Sequence, residues 1–204
     1  MGRRSLKAHR RKEIIEAFYH TAAEEGIHNT SIAKIAEVME VNPSLILHYF
    51  KNRNEMVYEL VNYILDGYLQ LYDVDQSQPA IDQLKDVLSN LFSREWNALI
   101  SDDVYYSCYS LIFRDPTIQQ KYKTLNDSLR ESLAGHLEAC ANEGALTIKD
   151  PRQTANLVYT ILDGTYYYLC MESDATEQAR LLEQCREQVL NLLNMETLEK
   201  EVTG

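Results

Sequence analysis

The chain has 204 residues and a formal net charge of −11 at pH 7, and 45% of its residues are hydrophobic. This length and apolar content predict a small domain joined to a larger one with a substantial core. No apolar run approaches the roughly 18 residues of a membrane span, and no apolar signal segment follows the basic start. We therefore expect a soluble, cytoplasmic protein with no membrane contact.

Residues that carry metal, redox or catalytic chemistry are scattered along the chain. The four cysteines form no CxxC pair and stand apart from any histidine cluster, which predicts reduced core cysteines, no metal and no cofactor. The sequence has no HExxH, GxSxG or phosphate-loop motif. We therefore expect no catalytic residues and no enzyme activity.

Charge is distributed unevenly. Residues 1–12 carry six basic residues and no acid, whereas residues 1–55 carry a net +2 and the remainder −13. A basic arm ahead of the first helix can reach phosphates or a minor groove, so Arg3 and Arg4 are candidate DNA-binding residues. The alternative is a solvated, partly disordered terminus, because charged chain ends often fray.

With seven glycines, four prolines and no alternating strand pattern, the sequence predicts an all-α fold of about nine helices. The first runs from about residue 6 to 25 and stops at Gly26, a natural C-terminal cap. Short helices follow at 31–39 and from Pro43. The remaining predicted helices span 53–72, 79–100, 102–113, a segment after Pro116 that reaches Asn142, 151–171 and 174–195.

The second and third helices carry the most informative pattern. Thr30 or Ser31 can cap the second helix, and residues 40–42 turn the chain. Pro43 suits the first position of the third helix, where its missing N–H and fixed φ cost nothing. Ile46 then faces inward with Phe50. The outer side of this helix is left with Ser44, Leu45, Leu47 and His48.

The segment from residue 30 to residue 56, TSIAKIAEVMEVNPSLILHYFKNRNEM, resembles the helix-turn-helix of the tetracycline-repressor (TetR) family of transcription regulators. A recognition helix of this type lays its N-terminal residues against base edges while its neighbours contact phosphates. The resemblance implies base-facing positions at Pro43, Ser44, Leu45 and Leu47, and phosphate-contacting positions at His48, Tyr49 and Arg53, with Lys51 beside them. Thr30, Ser31 and Asn42, at the helix starts, complete the predicted DNA-binding set.

Two residues depart from the family pattern. Leu47 stands where the family commonly has a tyrosine, and Glu40 where it usually has a turn glycine, so we expect strain or altered geometry in that turn. With no arginine or glutamine on the outer face, we expect Leu45 and Leu47 to contact thymine methyls, with DNA shape read indirectly. The alternative is a helix-turn-helix that binds protein instead of DNA.

The resemblance also implies a two-domain regulator. We predict a DNA-binding domain over 1–52 and an effector-binding and dimerisation domain over 53–204. In the TetR family the last two helices pack against their copies in a second subunit, whereas the commoner role of an amphipathic helix is to close its own core. The predicted homodimer interface consists of Val158, Leu162, Leu169, Leu181, Leu182, Cys185, Val189 and Leu192.

The larger domain resembles, more weakly, that of the choline-responsive betaine-pathway repressor and its relatives within the family. The landmarks are VYYSCYSLIF ahead of Arg114, the Gly144 turn and the step from Leu162 to Gly164. Aromatic faces with a carboxylate attract ammonium ions, so we expect a small effector, cationic or aromatic; the alternative is that the tyrosines are core residues. The predicted effector pocket consists of Trp96, Tyr105, Tyr106, Tyr109, Phe113, Tyr159, Asp163 and Tyr166.

Together these features predict a sequence-specific DNA-binding regulator. By family default it is a repressor, released from a pseudo-palindromic operator when a small molecule binds the larger domain. The alternative is a dimeric helical interaction module without specific DNA binding. Its support is the outer face of the third helix, which is poor in arginine and glutamine.

Overall fold

The computed structural model describes residues 3–93 and 101–196, with side chains from Leu6 onward. Within these ranges the chain forms nine α-helices, two short 3-10 segments and no strand, which confirms the predicted all-α fold. The helices are α1 (Arg3–Glu25), α2 (Ile32–Val38), α3 (Pro43–Tyr49), α4 (Arg53–Leu69), α5 (Ala80–Leu91), α6 (Asp102–Tyr109), α7 (Pro116–Asn142), α8 (Pro151–Leu169) and α9 (Ala175–Leu193).

Two predicted helices end earlier than expected. The α-helical part of α4 stops at Leu69, and Gln70–Tyr72 continue as a 3-10 turn; α6 likewise gives way to the 3-10 segment Ser110–Phe113. The tighter 3-10 geometry is common at helix ends. The fifth helix ends at Leu91, and the rest of its predicted span lies largely outside the described residues.

Local signals account for the ends of the first three helices. Gly26 ends α1 with φ of 83°, a conformation that glycine adopts without strain. The side chain of Ser31 caps α2 by accepting a hydrogen bond from the Lys34 N–H at 3.1 Å. The Asn42 side chain caps α3 in the same way, accepting from the Ser44 N–H at 2.9 Å, with Pro43 at the first helical position.

Residue contacts divide the chain into two compact units. The first takes its described residues from 1–68 and 97–123, and the second from 69–96 and 124–204. Most of α4 thus belongs to the first unit, and α7 contributes residues to both. These units reflect packing; the functional boundary between residues 52 and 53 stays a prediction.

The first unit has a core at the junction of α1 to α4. Ile46 and Phe50, which the sequence predicts to face inward, are fully buried there with Phe18, Ile35 and Met56. Burying side chains of this size stabilises the fold by about 1.5–3 kcal/mol each. This burial fixes which side of α3 is left to solvent.

The second unit is organised around α8 and α9, which pack against each other. Asp150 caps α8 and Asp174 caps α9 through their side chains, and Asn194 ends α9 in the left-handed conformation with φ of 54°. Among the described residues, no helix combines the length and apolarity needed to cross a lipid bilayer. Cys108, Cys140 and Cys185 are buried as expected, but Cys170 is exposed at the end of α8.

Candidate nucleic-acid interface

The outward side of α3 presents six of the thirteen residues predicted to bind DNA. Pro43, Ser44 and His48 are exposed, and Leu47 keeps 50% of its surface in solvent. Leu45 and Tyr49 are partly exposed. Because α3 has only seven residues, these side chains form one short ridge with both polar and apolar members.

The predicted DNA-binding residues at the helix starts make hydrogen bonds that stabilise the fold. Thr30 is buried, and its hydroxyl donates to the Gly26 carbonyl at 3.0 Å. Ser31 and Asn42 are exposed, but their side-chain oxygens accept the capping hydrogen bonds of α2 and α3. A DNA contact from these three residues stays a prediction.

Arg53, a predicted phosphate contact, has partners inside the protein. Its Nε donates to the Thr30 carbonyl at 3.0 Å, and its Nη2 donates to the Ile27 carbonyl. The guanidinium also lies 5.8 Å from the centre of the Phe18 ring. This geometry gives Arg53 the role of holding the α1–α2 turn, while its phosphate contact stays a prediction.

The neighbouring Lys51 has an exposed side chain, and its backbone N–H donates to Glu55 Oε2 at 2.8 Å. The Glu55 N–H in turn donates to the Asn52 side chain at 3.0 Å, so the start of α4 has a variant of the capping box, in which Glu55 accepts from the N–H of Lys51 instead of that of Asn52. The Lys51 N–H, followed by the Arg11 guanidinium, lowers the pKa of Glu55. Arg3 and Arg4 lie in the first turn of α1, with side chains outside the described residues.

Arg11 is a residue of this region that the sequence analysis did not single out. It lies on the inward face of α1, where its Nη1 donates to the Tyr49 carbonyl at 2.6 Å and to Glu55 at 3.0 Å. Its guanidinium also lies 4.1 Å from the Phe50 ring centre. A signal was present: Arg11 stands four and seven residues before the buried Ile15 and Phe18, which is helical spacing.

The predicted effector residues fall into separate places. Tyr105, Tyr106 and Tyr109 belong to a tyrosine cluster in the first unit, completed by Tyr68 and Tyr122. Tyr105 lies 5.1 Å from Tyr68 and 5.7 Å from Tyr122 between ring centres. Tyr122 is buried, and this burial raises its pKa well above the ordinary value.

Tyr159 and Asp163, in the second unit, meet an internal cation. Arg130 Nη2 donates to Asp163 at 2.7 Å, and the guanidinium lies 4.9 Å from the Tyr159 ring centre. The hydroxyl of Tyr159 also shares a 2.5 Å hydrogen bond with that of Tyr72. The aromatic face and carboxylate that we assigned to a ligand cation are thus engaged by Arg130.

The other predicted effector residues are dispersed. The Tyr166 hydroxyl donates to the Leu91 carbonyl at 2.7 Å within the second unit. Phe113, in the first unit, is 81% exposed. Trp96 lies outside the described residues. A binding role for the eight residues stays a prediction.

Most of the predicted dimer interface is buried inside one subunit. Six of the eight side chains are already buried within the subunit, namely Val158, Leu162, Leu169, Leu182, Cys185 and Val189. The alternative, that the stripes close the protein's own core, describes these six. Leu181 is partly exposed, and Leu192 is 38% exposed.

A different apolar face of α8 is open. Leu157 is 47% exposed, Tyr168 55% and Met171 61%, and Ile161 between them is partly exposed. Leu157, Ile161 and Tyr168 are spaced by four and seven residues, which puts them on one side of α8. Met171 follows in the turn after the helix. We call these four residues the exposed stripe.

Two family models match the chain. Residues 14–60 match "Bacterial regulatory proteins, tetR family", and residues 79–195, more than half of the chain, match "Tetracyclin repressor-like, C-terminal domain". The HTH-type transcriptional regulator BetI of Yersinia pestis (strain Pestoides F) is 36% identical over 56 residues. That match covers 28% of this chain and 28% of BetI, so the likeness to this relative is partial.

Solved structures share the fold across nearly the whole chain. A TetR transcription regulator from Haloarcula marismortui has a TM-score of 0.77 at 18% identity, covering 92% of this chain and 97% of that one. A transcriptional regulator from Saccharomonospora viridis, solved in complex with choline, has a TM-score of 0.68 at 15% identity, covering 95% and 100%. With its helix-turn-helix and both family models, the chain belongs to the TetR family of DNA-binding transcriptional regulators, which are not enzymes.

Proposed function

We propose that the protein is a dimeric repressor that binds a pseudo-palindromic operator through α3 of each subunit and is released by a small effector. The outer face of α3 carries this proposal, because it is exposed while the opposite face is buried in the core. A two-fold dimer would put two such faces on half-sites about one DNA turn, or a simple multiple of it, apart. Chromosomal DNA as the partner implies a cytoplasmic location.

The exposed residues in and after α3 are suited to two kinds of DNA contact, one to bases and one to phosphates. Leu47, which is half exposed, offers an apolar contact for a thymine methyl at the major-groove floor. His48 and Lys51 are both exposed, and they supply polar contacts to phosphates. Phosphate contacts set the register on the duplex, while base contacts carry sequence preference.

Selection from a random pool of duplexes tests this function. Wild-type protein should enrich a pseudo-palindromic sequence. Lys51→Met should weaken binding to all duplexes and reduce the slope of log affinity against log salt by about one per subunit. Leu47→Ala should instead lower the preference for the selected sequence at an unchanged salt slope. Enrichment of no sequence, with the protein folded and dimeric, would favour the interaction module.

The exposed stripe of α8 is the proposed dimer face, with a second copy of this chain as its occupant. Contiguous exposed apolar side chains on a helix are typical of an interface, and the family assembles through its terminal helices. Leu192 of α9, a residue of the predicted dimer interface, is also exposed.

Analytical ultracentrifugation, which measures the oligomeric state, tests whether the exposed stripe is the dimer face. Leu157→Glu introduces a charge at the proposed interface and should convert a dimer into a monomer that keeps its helix content. Asn156→Glu, at the adjacent exposed position of α8, is the matched control and should remain dimeric. A Leu157→Glu dimer with wild-type affinity would rule out this face.

We propose the tyrosine cluster as the effector site and an organic cation as its ligand class. Several tyrosine rings lie next to one another there, and aromatic faces attract ammonium groups. Tyr159 is a weaker candidate because Arg130 already lies over its ring. The choline complex of the Saccharomonospora viridis protein supports choline as the first probe.

Calorimetric titration with choline tests this assignment. Binding should be lost in Tyr105→Ala and retained in Tyr167→Ala, a tyrosine 60% exposed in the second unit. Choline should also weaken binding of the selected duplex. A wild-type protein that binds the duplex but not choline would require an effector of another class.

A further inference from the structure

A line of polar contacts links the end of α3 to the middle of the chain. It starts at Arg11, whose Nη1 donates to the Tyr49 carbonyl at 2.6 Å and whose Nη2 donates to Glu59 Oε1 at 3.1 Å. The side chain of Arg11 is 24% exposed, and that of Glu59 is 38% exposed. Arg11 therefore connects the last carbonyl of the recognition helix to α4.

The line continues from α4 to α7. The Asn62 amide donates to the second oxygen of Glu59, Oε2, at 2.7 Å. The amide oxygen of Asn62 accepts from Lys121 Nζ at 2.6 Å. These hydrogen bonds form one unbroken chain, and we call Arg11, Glu59, Asn62 and Lys121 the relay.

A second contact ties the same two helices. The Tyr58 hydroxyl donates to Asp115 Oδ2 at 2.6 Å, at the start of α7. This hydrogen bond is the main reason that the pKa of Asp115 is lowered. Because Asp115 also accepts from the Thr117 N–H at 2.8 Å, α4 holds α7 both at its N-terminus and at Lys121.

The recognition helix depends on such contacts for its position. An isolated helix of seven residues is not stable in water, so tertiary contacts decide where α3 lies. Arg11 holds its C-terminal carbonyl, where a cation is also favoured by the helix dipole. The same guanidinium lies over Phe50, the residue that follows α3. A shift of Arg11 therefore moves the end of α3.

Helix α7 contributes residues to both units. It is one continuous helix of 27 residues, and it carries Lys121 in the first unit and Arg130 in the second. The proposal requires that a displacement of the later turns of α7 reach Lys121 along the helix. Packed side chains and hydrogen-bond networks of this kind carry energetic coupling between distant sites.

We infer that Asn62 and Lys121 are positioning residues for DNA binding, which act through Glu59 and Arg11 and report the position of α7 to the recognition helix. This inference rests on the proposed operator-binding function. Neither residue touches DNA in it. The relay predicts weaker operator binding when it is cut at α7, far along the chain from α3.

The test uses full-length protein and the duplex selected by the wild type. Lys121→Met should raise the Kd for this duplex by roughly 2- to 30-fold, the range for residues in a coupling network. The salt slope should stay unchanged, because no phosphate contact is lost. Lys121→Arg keeps a donor and should restore binding. Combined with Glu59→Gln, Lys121→Met should add no further loss, since both cut the same relay.

Lys123→Met is the matched control, because it removes the same charge from an exposed site on the same helix. If Lys121→Met and Lys123→Met lose the same affinity for the duplex, the effect comes from the loss of a positive charge at long range, and the relay is overturned. Wild-type affinity in folded Lys121→Met would do the same. A reduced salt slope would make Lys121 a phosphate contact instead.

Amide hydrogen exchange tests the relay without DNA. Lys121→Met should speed exchange of the Phe50 N–H, which donates to the Ile46 carbonyl at the end of α3, and leave α9 unchanged. If the wild type selects no duplex, the operator function fails, yet this measurement still decides the relay. Unchanged exchange in α3 would overturn it.

Discussion

The recognition helix and the terminal helix pair are held in place by different forces. Helices α2 and α3 have seven residues each, and arginines donating to backbone carbonyls fasten the turns around them. Helices α8 and α9 have 19 residues each and are joined by buried aliphatic side chains. The difference implies that polar substitutions should loosen the DNA-binding end, whereas apolar truncations should loosen the terminal pair.

The largest expected effect is in the terminal pair. Leu162→Ala removes a side chain that is 97% buried, since only 3% is exposed, and should lower the free energy of unfolding by about 2–5 kcal/mol. Leu157→Ala, five residues earlier and 47% exposed, is the control. Its effect in urea unfolding should grow with protein concentration, because it acts through the dimer. Equal, concentration-independent losses would contradict the distinction between these two faces.

The next effect sharpens the polar side of the comparison. Arg53→Met leaves the carbonyls of Thr30 and Ile27 without this donor in a buried setting, and should cost about 1–3 kcal/mol of unfolding free energy. Arg152→Met breaks an ion pair with Glu131 whose two side chains are 76% and 63% exposed, and should cost less than about 1 kcal/mol. Thermal unfolding compares the two variants.

DNA binding by Arg53→Met settles which role dominates. Weaker binding with an unchanged salt slope would mark Arg53 as a structural residue of the turn. A slope reduced by about one per subunit would instead reveal the phosphate contact that the family resemblance implies.

The comparison also explains what could be predicted from sequence. The cap at Ser31, the position of Pro43 at the start of α3 and the inward side of α3 follow from neighbouring residues, so local chemistry was enough to predict them. The partner of Arg11 is 38 residues away and those of Arg53 are 23 and 26. Helical periodicity relates only residues that are close in sequence. The backbone carbonyls that accept from Arg11 and Arg53 could therefore not be predicted from the sequence.

Helix α8 shows a different limit. It has two apolar faces, one containing Val158 and Leu162 and the other containing Leu157 and Tyr168. Periodicity identifies both faces but does not state which one packs against α9. The sequence analysis assigned the first face to the dimer, whereas packing within the subunit buries it.

Unlike the substitutions above, a substitution at Glu40 should stabilise the protein. It lies in the turn between α2 and α3 with φ of 54°, the strain that the sequence predicts where the family has glycine. Glu40→Gly should raise the free energy of unfolding by about 1 kcal/mol, because glycine adopts this conformation without a steric penalty. Glu37→Gly, inside α2, should lower it by about 1 kcal/mol. Destabilisation by Glu40→Gly would mean that the glutamate has a compensating role.

The smallest expected effect is the pH response of the capping box. The Lys51 N–H and the Arg11 guanidinium lower the pKa of Glu55 below its ordinary 4.5. A carboxylate with a lowered folded pKa adds stability that is present above the unfolded value and is lost as the pH falls through the folded one. Wild-type stability should therefore fall below about pH 4.5 more steeply than that of Glu55→Gln. Glu24→Gln, at an exposed site on α1, is the control for simple charge loss.

Because Arg11 holds both Glu55 and the Tyr49 carbonyl, protonation of Glu55 should also speed amide exchange at the end of α3. Parallel pH profiles for wild type and Glu55→Gln would show that the cap is neutral in energy, and would leave Glu59 as the carboxylate that anchors Arg11.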